Sequence, residues 1–286
     1  MKLALWGTRG SLPSPRPGTM RYGGNTSCVE VRTADGSVIV LDAGSGIQRL
    51  PDFADLPRID MLLSHLHMDH ILGLGFFGAL FQPELEVHVW GPPSTTLDLR
   101  ARLTRYLSPP LFPVRLRDLP CRLFLHDAPR GTFDLPGATV TADLVCHPGP
   151  TLGYRIEADG ATVAYVPDHE PALGADPFPG RPQWTSGFAI MAGADLLIHD
   201  AQYTDAEYPA HVGWGHSSLG QTLALAEATG VGCLIGFHHD PDHNDRQLDR
   251  LYTDAASGQR WSFELVPAME GSAFTLGRQG PIAATA

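Results

Sequence analysis

The sequence predicts an α/β sandwich in which helices cover the outer faces of β-sheets. Short β-rich runs such as CVEVR, SVIVLDAG and TVAYVPD recur along the chain, and most runs of this kind end at Gly, Pro or Asp. Several runs are apolar at every position, which is typical of strands that are buried on both faces. Fewer segments have helical character, and they interrupt the strands, so helices outside the sheets fit best.

The predicted elements follow one another without a clear linker. The strands are, in order, KLALWG, CVEVR, SVIVLDAG, IDMLLSH, LEVHVWG, TVTADLVCHPG, LGYRIEAD, TVAYVPD, DLLIHD, CLIGFHH and FELVP. The dipeptide DG at residues 159–160 is typical of a hairpin turn. Helices are predicted over residues 94–107 from their leucine spacing, over 217–230 between a Ser and a Gly, and over 244–256 after a cap at Asn244 or Asp245.

Composition and charge limit the function classes. A chain of 286 residues with 43% apolar residues can bury a substantial core, in one large domain or two small ones. The formal net charge of -11 provides no general basic surface for nucleic acid or anionic membranes. The four cysteines form no C-x-x-C pair, which argues against a cysteine zinc site. No run reaches the ~18 apolar residues of a membrane helix, and MKLALWGTRG lacks a signal-peptide core, so we expect a cytoplasmic protein.

Three histidines and an aspartate lie within SHLHMDHILG, residues 64–73. His65 and His67 follow the predicted strand IDMLLS, and in an extended segment they point to the same side and can bind one ion. Asp69 and His70 lie beyond the bend and can reach a second ion. Each residue alone would more commonly be a core or surface group, but the cluster as a whole indicates a metal site.

Further ligand candidates close other apolar runs. His147 follows VTADLVC, Asp168 follows TVAYVP, and the pair His238 and His239 follows CLIGF. Ligands at strand ends around a shared cleft are held by rigid elements. The residues therefore predict a site for two metal ions and leave open which histidine of the last pair is the ligand.

The HLHMDH motif and these strand ends resemble the metallo-β-lactamase superfamily over nearly the whole chain. The resemblance implies a four-layer αββα sandwich, with residues 1–286 as a single hydrolase domain. It favours His238 as ligand, because CLIGFHHDP is similar to the family's closing LILTHFSP stretch. LDAGSG (41–46) is similar to the family's first motif, in which Asp42 supports the metal loop. The implied ligand sets are His65, His67 and His147 for one ion, Asp69, His70 and His238 for the other, and Asp168 as the bridge.

The charge of such a site indicates its chemistry. Asp69 and Asp168 cancel two of the four positive charges of two divalent ions, and a bridging hydroxide and one phosphodiester anion would cancel the rest. Zinc can lower the pKa of bound water to about 7. We therefore expect two divalent ions, with Zn²⁺ as first choice and Mn²⁺ or iron as alternatives, and hydroxide attack on phosphorus. Asp69 is counted as both a metal ligand and a catalytic residue.

Two later stretches, HDAQ (199–202) and GHSS (215–218), resemble the HEAT and GHST stretches of the tRNA 3′-processing branch of the superfamily. The resemblance implies that Asp200 orients His216, which then protonates the departing alkoxide or stabilises charge on the phosphate. The alternative is a strand-end carboxylate and a helix-entry histidine without a catalytic role. His199 is interpreted as structural.

The resemblance to the tRNA-processing enzymes is incomplete. Their tRNA-gripping arm lies between the third His motif and the bridging Asp, whereas here only 20 residues, PGPTLGYRIEADGATVAYVP, separate His147 from Asp168. The N-terminal GTRGSLPSP and RYGGNTSCVEV resemble bacterial members described as cyclic-nucleotide phosphodiesterases or general metal-dependent hydrolases. Arg9 and Asn25 there are either turn residues, which we favour, or substrate contacts.

Charge is unevenly distributed along the chain. Residues 100–130 hold seven arginines against only two aspartates, Asp118 and Asp127. We interpret this segment as an Arg-rich insertion that could overhang the cleft, where arginine suits phosphate contacts. The alternative, which we favour slightly, is a solvated helix face followed by a loop.

The leading hypothesis is a phosphodiesterase that acts on a small phosphodiester such as a cyclic nucleotide. The alternatives are a carboxylic-ester, thioester or lactam hydrolase at the same metals, an RNA-processing nuclease that uses the arginines, and a redox protein with iron. We expect a small-molecule substrate and no membrane partner. The oligomeric state, including a homodimer, is left open.

Overall fold

Two β-sheets face each other in the computed structural model, which describes residues 1–51, 53, 55–277 and 280–284. In chain order, the first sheet takes β1 (Lys2–Gly7), β2 (Cys28–Arg32), β3 (Val38–Leu41), β4 (Arg58–Leu62), β5 (Glu86–Gly91) and β6 (Arg122–Asp127). The second sheet then takes β7 (Gly131–Leu135), β8 (Ala138–Leu144), β9 (Leu152–Ala158), β10 (Ala161–Val166), β11 (Leu196–Asp200), β12 (Cys233–Phe237) and β13 (Glu264–Pro267). The chain returns to the first sheet with β14 (Ala273–Gly277) and β15 (Gly280–Ala284).

Both sheets are mixed. The strand order is β15-β14-β1-β2-β3-β4-β5-β6 in the first sheet and β13-β12-β11-β10-β9-β8-β7 in the second. Strands β3 to β6 run parallel, as do β10 to β13, while the remaining neighbours are antiparallel. The carboxyl ends of neighbouring parallel strands meet at one edge of a sheet, and this edge is where ligand sites form in α/β folds.

Helices occupy the outer layers. They are α1 (Met68–Ile71), α2 (Leu99–Tyr106), α3 (Phe188–Met191), α4 (Leu219–Thr229) and α5 (Asp245–Gly258). Short 3₁₀ helices cover Ser45–Arg49, Leu74–Phe76, Gly78–Phe81, Leu116–Asp118, Pro182–Trp184 and Tyr208–Ala210. Among the described residues, none of these helices combines the length and the apolar character that crossing a bilayer requires.

The strands alternate their side chains between an inner and an outer core, as the period of two requires. In β3, Ile39 and Leu41 join the core between the sheets, whereas Val38 and Val40 join the core under α1 and α2. On the second sheet, Leu197 and the neighbouring outward side chains pack against α3, α4 and α5. Helix, sheet, sheet and helix therefore form four layers, and the predicted αββα sandwich is confirmed.

Several local predictions match the structure closely. Helix α4 begins after Ser218, which forms a capping box with Gln221, and ends at Gly230 in the left-handed conformation. Asn244 rather than Asp245 caps α5. The DG turn joins β9 to β10, with both of its residues at positive φ, as a tight hairpin requires.

Two predictions need correction. Helix α2 is shorter than the predicted 94–107, because Asp98 accepts the backbone N–H of Ala101 and so starts the helix at Leu99. Part of the segment predicted as an Arg-rich insertion belongs to the first sheet, because Arg122–Asp127 forms β6 and pairs in parallel with β5 across its whole length. Arg122, the one arginine of this strand, is therefore part of the sandwich edge.

Candidate metal centre and active site

The predicted ligands converge at one edge of the sandwich, beyond the carboxyl ends of strands from both sheets. The loop after β4 carries His65, His67, Asp69 and His70, and α1 begins inside this loop. The other ligands follow second-sheet strands: His147 after β8, Asp168 after β10 and His238 directly after β12. Strand direction therefore brings together residues that are far apart in the chain.

A first group contains His65, His67 and His147, whose candidate ligand atoms all lie within 4.8 Å of one another. His147 Nε2 is 3.1 Å from His67 Nδ1. His65 is buried, whereas His67 is exposed. Three nitrogens at such distances form an open coordination site with room for a further ligand.

A second group contains Asp69, His70, Asp168 and His238, which are all buried. His70 Nε2 lies 3.0 Å from Asp168 Oδ1 and 3.3 Å from Asp69 Oδ2. His238 Nε2 lies 3.2 Å from Asp69 Oδ2 and 3.4 Å from Asp168 Oδ1. Two carboxylates and two imidazoles thus face one point.

Asp168 lies between the two groups. Its Oδ2 is 3.6 Å from both His65 Nε2 and His147 Nε2, whereas its Oδ1 faces His70 and His238. Burial alone would raise the pKa of this carboxyl, but His238, His70 and His65 together hold the pKa of Asp168 well below its usual range. The carboxylate can therefore serve both groups in its charged form.

Hydrogen bonds from outside the cluster orient the histidine rings. In four of the five histidines Nδ1 lies near an oxygen outside the cluster: Ser64 Oγ at 3.1 Å for His65, Asp42 Oδ2 at 2.7 Å for His70, the Gly215 carbonyl at 2.7 Å for His147, and Gln202 Oε1 at 2.9 Å for His238. His67 differs, because its Nδ1 faces His147 Nε2 within the cluster. A proton on Nδ1 leaves the lone pair on Nε2, which points into the cluster. These outer bonds prepare the rings for ligation.

Several features of the cluster fit a divalent cation. Within the described residues, His65 Nε2 and Asp168 Oδ1 are buried without a hydrogen-bond partner. The Nε2 atoms of His70 and His238 are only 3.4 Å apart, so a proton shared by the two rings or a cation between them has to offset the repulsion of their lone pairs. Imidazole and carboxylate donors suit zinc, iron or manganese. The residues present therefore fit divalent metal binding.

Two glycines allow the ligand rings to approach the backbone. A Cβ at Gly10 would lie 2.3 Å from Nδ1 of His238, and a Cβ at Gly215 would lie 2.3 Å from Nδ1 of His147. Gly215 also has a φ of +94°, which favours glycine. The N-terminal glycine-rich stretch thus contributes to the site through its lack of side chains.

Asp42 supports the metal loop, as the resemblance implied. It is fully buried and accepts four hydrogen bonds, from Ser64 N at 2.7 Å, Ser64 Oγ at 2.7 Å, His70 Nδ1 at 2.7 Å and the Tyr165 hydroxyl at 2.8 Å. Its φ of +57° is tolerated best by Gly, Asn and Asp. One carboxylate therefore connects a ligand, its loop and the opposite sheet.

Asp200 and His216 form a pair beside the cluster. His216 Nδ1 is 2.7 Å from Asp200 Oδ2, and its ring stacks on His238 at 4.8 Å. The backbone N–H groups of His169 and Gln202 also bond to Asp200. Burial lowers the pKa of His216, but Asp200 and the nearby Asp168 outweigh burial and raise the pKa of His216 to about 9. Both residues also lie within ligand distance of His238, so metal binding is a further capability of the pair.

A family model described as "Beta-lactamase superfamily domain" matches residues 38–239, which is more than half of the chain. The chain belongs to the metallo-β-lactamase superfamily. This superfamily member is therefore a hydrolase with a site that fits divalent metal ions, as the sequence predicted. The matched residues run from the first residue of β3 to the His238–His239 pair.

Individual proteins agree with this assignment. A ribonuclease Z from Mycobacterium sp. (strain KMS) is 29% identical over 248 residues, which are 80% of this chain and 81% of the relative. The crystal structure of the metallo-β-lactamase fold protein YhfI from Bacillus subtilis has a TM-score of 0.67 at 19% identity and covers 95% of this chain and 98% of its own. The short form of human tRNase Z has a TM-score of 0.65 at 20% identity and covers 96% of this chain and 99% of its own. The two structures show the shared fold.

Four other residues of this superfamily member that the sequence analysis considered lie outside the cluster. His239 is buried and bonds through Nε2 to the carbonyl of Ala268 at 2.9 Å, so it lies apart from the cluster of candidate ligands that contains His238. His199 bonds to His169 and to the carbonyl of Asp200, in keeping with a structural role. Arg9 is fully buried among backbone carbonyls, and Asn25 pairs with Glu270. Both side chains hold loops in place.

Several residues that contact the cluster were not predicted from the sequence. The backbone N–H of Ser11 donates to Asp69 Oδ2 at 2.8 Å, and Gln202 holds His238. Glu170 binds the loop before His216. Gln202 lies inside the HDAQ stretch, and Glu170 lies two positions after Asp168. Closeness in sequence to predicted site residues was therefore the one feature that could have identified them.

The Arg-rich segment is partly neutralised by acidic neighbours. Its ion pairs join Arg102 to Asp127, Arg117 to Asp118, Arg122 to Glu86 and Arg130 to Asp143. Within the described part of the chain, Arg100, Arg105 and Arg115 have no such partner. The surface is thus less basic than the residue count alone indicated.

Proposed function

We propose that this chain is a phosphodiesterase that hydrolyses a small phosphodiester such as a cyclic nucleotide, with two divalent ions, Zn²⁺ first among them. The observation that carries the proposal is the Asp200–His216 pair, with 2.7 Å between its carboxylate and imidazole, directly beside the metal-ligand cluster. Breaking a P–O bond releases a basic alkoxide, and a positioned proton donor is worth about 10²- to 10⁴-fold in rate.

The seven clustered ligands divide between the two ions. His65, His67 and His147 would hold one ion, Asp69, His70 and His238 would hold the other, and Asp168 would contact both. When bound, divalent ions supply Lewis acidity, which lowers the pKa of water and stabilises negative charge on phosphate oxygens. Asp69 also lies where its carboxylate can orient the attacking water, since Ser11 fixes its Oδ2 from outside.

His216 would act on the leaving group. Asp200 accepts the Nδ1–H of His216, and the Nε2–H on the opposite side of the ring is then available to the departing oxygen. Because Asp200 is fully buried and also bonds to two backbone N–H groups, its carboxylate cannot swing away from the ring. The pair therefore positions a proton donor.

The dimensions of the cleft favour a small substrate. The segment between His147 and Asp168 is occupied by the β9–β10 hairpin with its two-residue turn, and the hairpin is built into the second sheet. Beside the metal loop lies a cavity of about 540 Å³, lined by Leu66, Met68, Tyr106, Leu111 and the guanidinium of Arg105 among others. Arg102 also lines this cavity, and largely apolar walls with two arginines suit a nucleoside and its phosphate.

A second candidate function is RNA cleavage near a 3′ end. The observation that favours it is the 29% identity to a protein named ribonuclease Z over four fifths of this chain. The lack of room for an arm in the β9–β10 hairpin and the net charge of -11 favour the small substrate instead. The two candidates differ in substrate size and not in the chemistry of the cluster.

The test is a substrate panel with protein reconstituted with Zn²⁺, Mn²⁺ or Fe²⁺. The panel contains bis(p-nitrophenyl) phosphate, 2′,3′- and 3′,5′-cyclic nucleotides, an RNA with a 3′ extension, a thioester and nitrocefin. We expect turnover of the phosphodiesters and none of nitrocefin. Turnover of the thioester alone would refute the proposal, and cleavage of the RNA far faster than any small diester would establish the second candidate.

The variant His216→Ala sharpens the test. Its kcat on a cyclic nucleotide, whose leaving group is an alkoxide, should fall by about 10²- to 10⁴-fold. Its kcat on bis(p-nitrophenyl) phosphate should fall much less, because p-nitrophenolate leaves without a proton. His211→Ala is the matched control, since His211 packs on Tyr203 and Trp214 and is not part of the ligand cluster. Equal losses on both substrates would contradict the role of His216.

A further inference from the structure

Glu170 is a fully buried carboxylate two residues after Asp168. Its Oε1 accepts the backbone N–H of Gly213 at 2.8 Å and the hydroxyl of Tyr208 at 2.9 Å. Its Oε2 accepts the backbone N–H of Gly215 at 2.6 Å. One carboxylate therefore fixes the loop that leads into His216.

This carboxylate is balanced in an unusual way. Within the described residues, no Lys, Arg or His side chain forms an ion pair with Glu170, so backbone N–H groups and one hydroxyl alone satisfy its charge. A buried carboxylate without a cationic partner is costly unless hydrogen bonds satisfy it, and its removal would leave the backbone N–H groups of Gly213 and Gly215 without an acceptor. The carboxylate therefore holds the backbone of Gly213 and Gly215 in one position.

The bonds continue from Glu170 to a metal ligand. The backbone N–H of Gly215 donates to Glu170 Oε2, and the carbonyl of Gly215 accepts from His147 Nδ1 at 2.7 Å. Gly215 cannot be replaced by a larger residue in this position, because a Cβ would lie 2.2 Å from Pro148 and 2.3 Å from His147. Orientation of the His147 ring thus depends on where Glu170 holds Gly215.

Glu170 also connects the two strand-end loops that carry His147 and Asp168. Its own backbone N–H donates to the carbonyl of Cys146 at 2.8 Å. The residue next to Cys146 is His147, so Glu170 contacts the His147 loop through its backbone and through Gly215. Two independent contacts converge on one ligand.

We propose that Glu170 is a positioning residue that fixes the metal-binding nitrogen of His147 through the backbone of Gly215. The inference rests on the metal ligation proposed above and does not depend on which substrate is cleaved. It predicts that Glu170 affects the ion held by His65, His67 and His147 and leaves the other ion unaffected.

The test is a titration of metal-free protein with Co²⁺, followed by visible absorption and by competition with a chelating dye. In Glu170→Ala, one of two Co²⁺ equivalents should bind about 10- to 100-fold more weakly, the range measured when a group that orients a ligand is removed. Glu170→Gln can still accept one glycine N–H and should show a smaller loss at the same equivalent. This milder variant also serves if Glu170→Ala does not fold.

Tyr208→Phe is the matched control, because it removes the third bond to Oε1 and leaves both glycine bonds in place. Its Co²⁺ affinities should equal those of the wild type. Equal weakening of both equivalents in Glu170→Ala, or weakening in Tyr208→Phe alone, would overturn the proposal. Wild-type protein that bound no Co²⁺ would refute the metal ligation itself.

A double-mutant cycle separates positioning from general destabilisation. In His147→Ala the first ion loses a ligand, so Glu170 no longer has a ligand to position. Adding Glu170→Ala to this variant should leave the remaining Co²⁺ affinity unchanged, which makes the two substitutions strongly non-additive. Additive losses would mean that Glu170 acts by another route and would reject the inference.

Discussion

Asp42→Asn isolates the electrostatic role of the carboxylate that supports the metal loop. Asparagine tolerates the φ of +57° at this position and has nearly the same shape, so the backbone should keep its path. The substitution replaces one acceptor oxygen by an NH₂ group. Because both oxygens of Asp42 accept hydrogen bonds, four in all, the NH₂ group faces a donor whichever oxygen it replaces. Every donor involved comes from Ser64, His70 or Tyr165.

The cost follows from the two ways in which the amide can be placed. With the nitrogen at Oδ1, the backbone N–H of Ser64 loses its acceptor inside the core, and the free energy of unfolding of the metal-free protein should fall by about 2–4 kcal/mol. With the nitrogen at Oδ2, the two hydroxyls can rotate, but His70 must move its proton from Nδ1 to Nε2. That proton then points at Asp69 and Asp168 and opposes a cation.

The assay is urea denaturation of the metal-free protein together with Zn²⁺ competition against a chelating dye. We expect the stability loss above and a weakening of one Zn²⁺ equivalent by about 10- to 100-fold. Asp60→Asn is the matched control, because Asp60 is also buried on β4 and accepts bonds from Arg58 and Trp90, away from the cluster. It should lower stability and leave Zn²⁺ affinity unchanged. Wild-type Zn²⁺ affinity in Asp42→Asn, or an equal loss in Asp60→Asn, would refute the reasoning.

Two further perturbations test the cluster. Gly215→Ala places a Cβ 2.3 Å from Nδ1 of His147, so we expect loss of one metal equivalent and of activity. The control is Gly213→Ala, because Gly213 has a similar positive φ but nothing within 4 Å of its Cβ, so this variant should share only the backbone strain. Equal metal binding in the two variants would contradict the steric argument. Removal of metal by a chelator should abolish hydrolysis and lower Tm, because an ion present at 100 times its Kd stabilises the folded state by about 2.7 kcal/mol. Restoration of both by added Zn²⁺, Mn²⁺ or Fe²⁺ is the expected result, and a Tm that does not respond to chelator would argue against the site.

The fold was predictable because the buried strands carry a strong signal. Continuous apolar runs such as those of β11 and β12 are required where both faces of a strand are covered, and these runs end at the site. The sequence reasoning missed β6, β7, β14 and β15, of which β6, β7 and β15 lie at sheet edges. The described residues of β6 and β7 are largely half-buried or exposed, so polar residues are tolerated there and the pattern weakens.

The identities of the candidate ligands were predictable for a different reason. His65, His67, Asp69 and His70 lie close together in sequence, and the other candidates close apolar runs, so the residues alone indicated the cluster, while the choice of His238 over His239 came from the family resemblance. Their roles as ligands stay predictions until metal is measured. The residues that orient them escaped notice, because Gly215, Ser11 and Glu170 act largely through backbone groups or backbone partners, and no residue type announces such a contact.

The site is held together across loops more than within them. His147 is oriented from a loop 68 positions away, His238 from Gln202, and His70 from Asp42 in another strand end. Asp69, the fifth residue of the HLHMDH motif, is fixed by the backbone N–H of Ser11 near the N-terminus. No single loop can therefore form a competent ion site before both sheets have assembled around the shared edge. It follows that metal affinity reports on the whole sandwich, and that substitutions far from the motif should weaken it without touching a ligand.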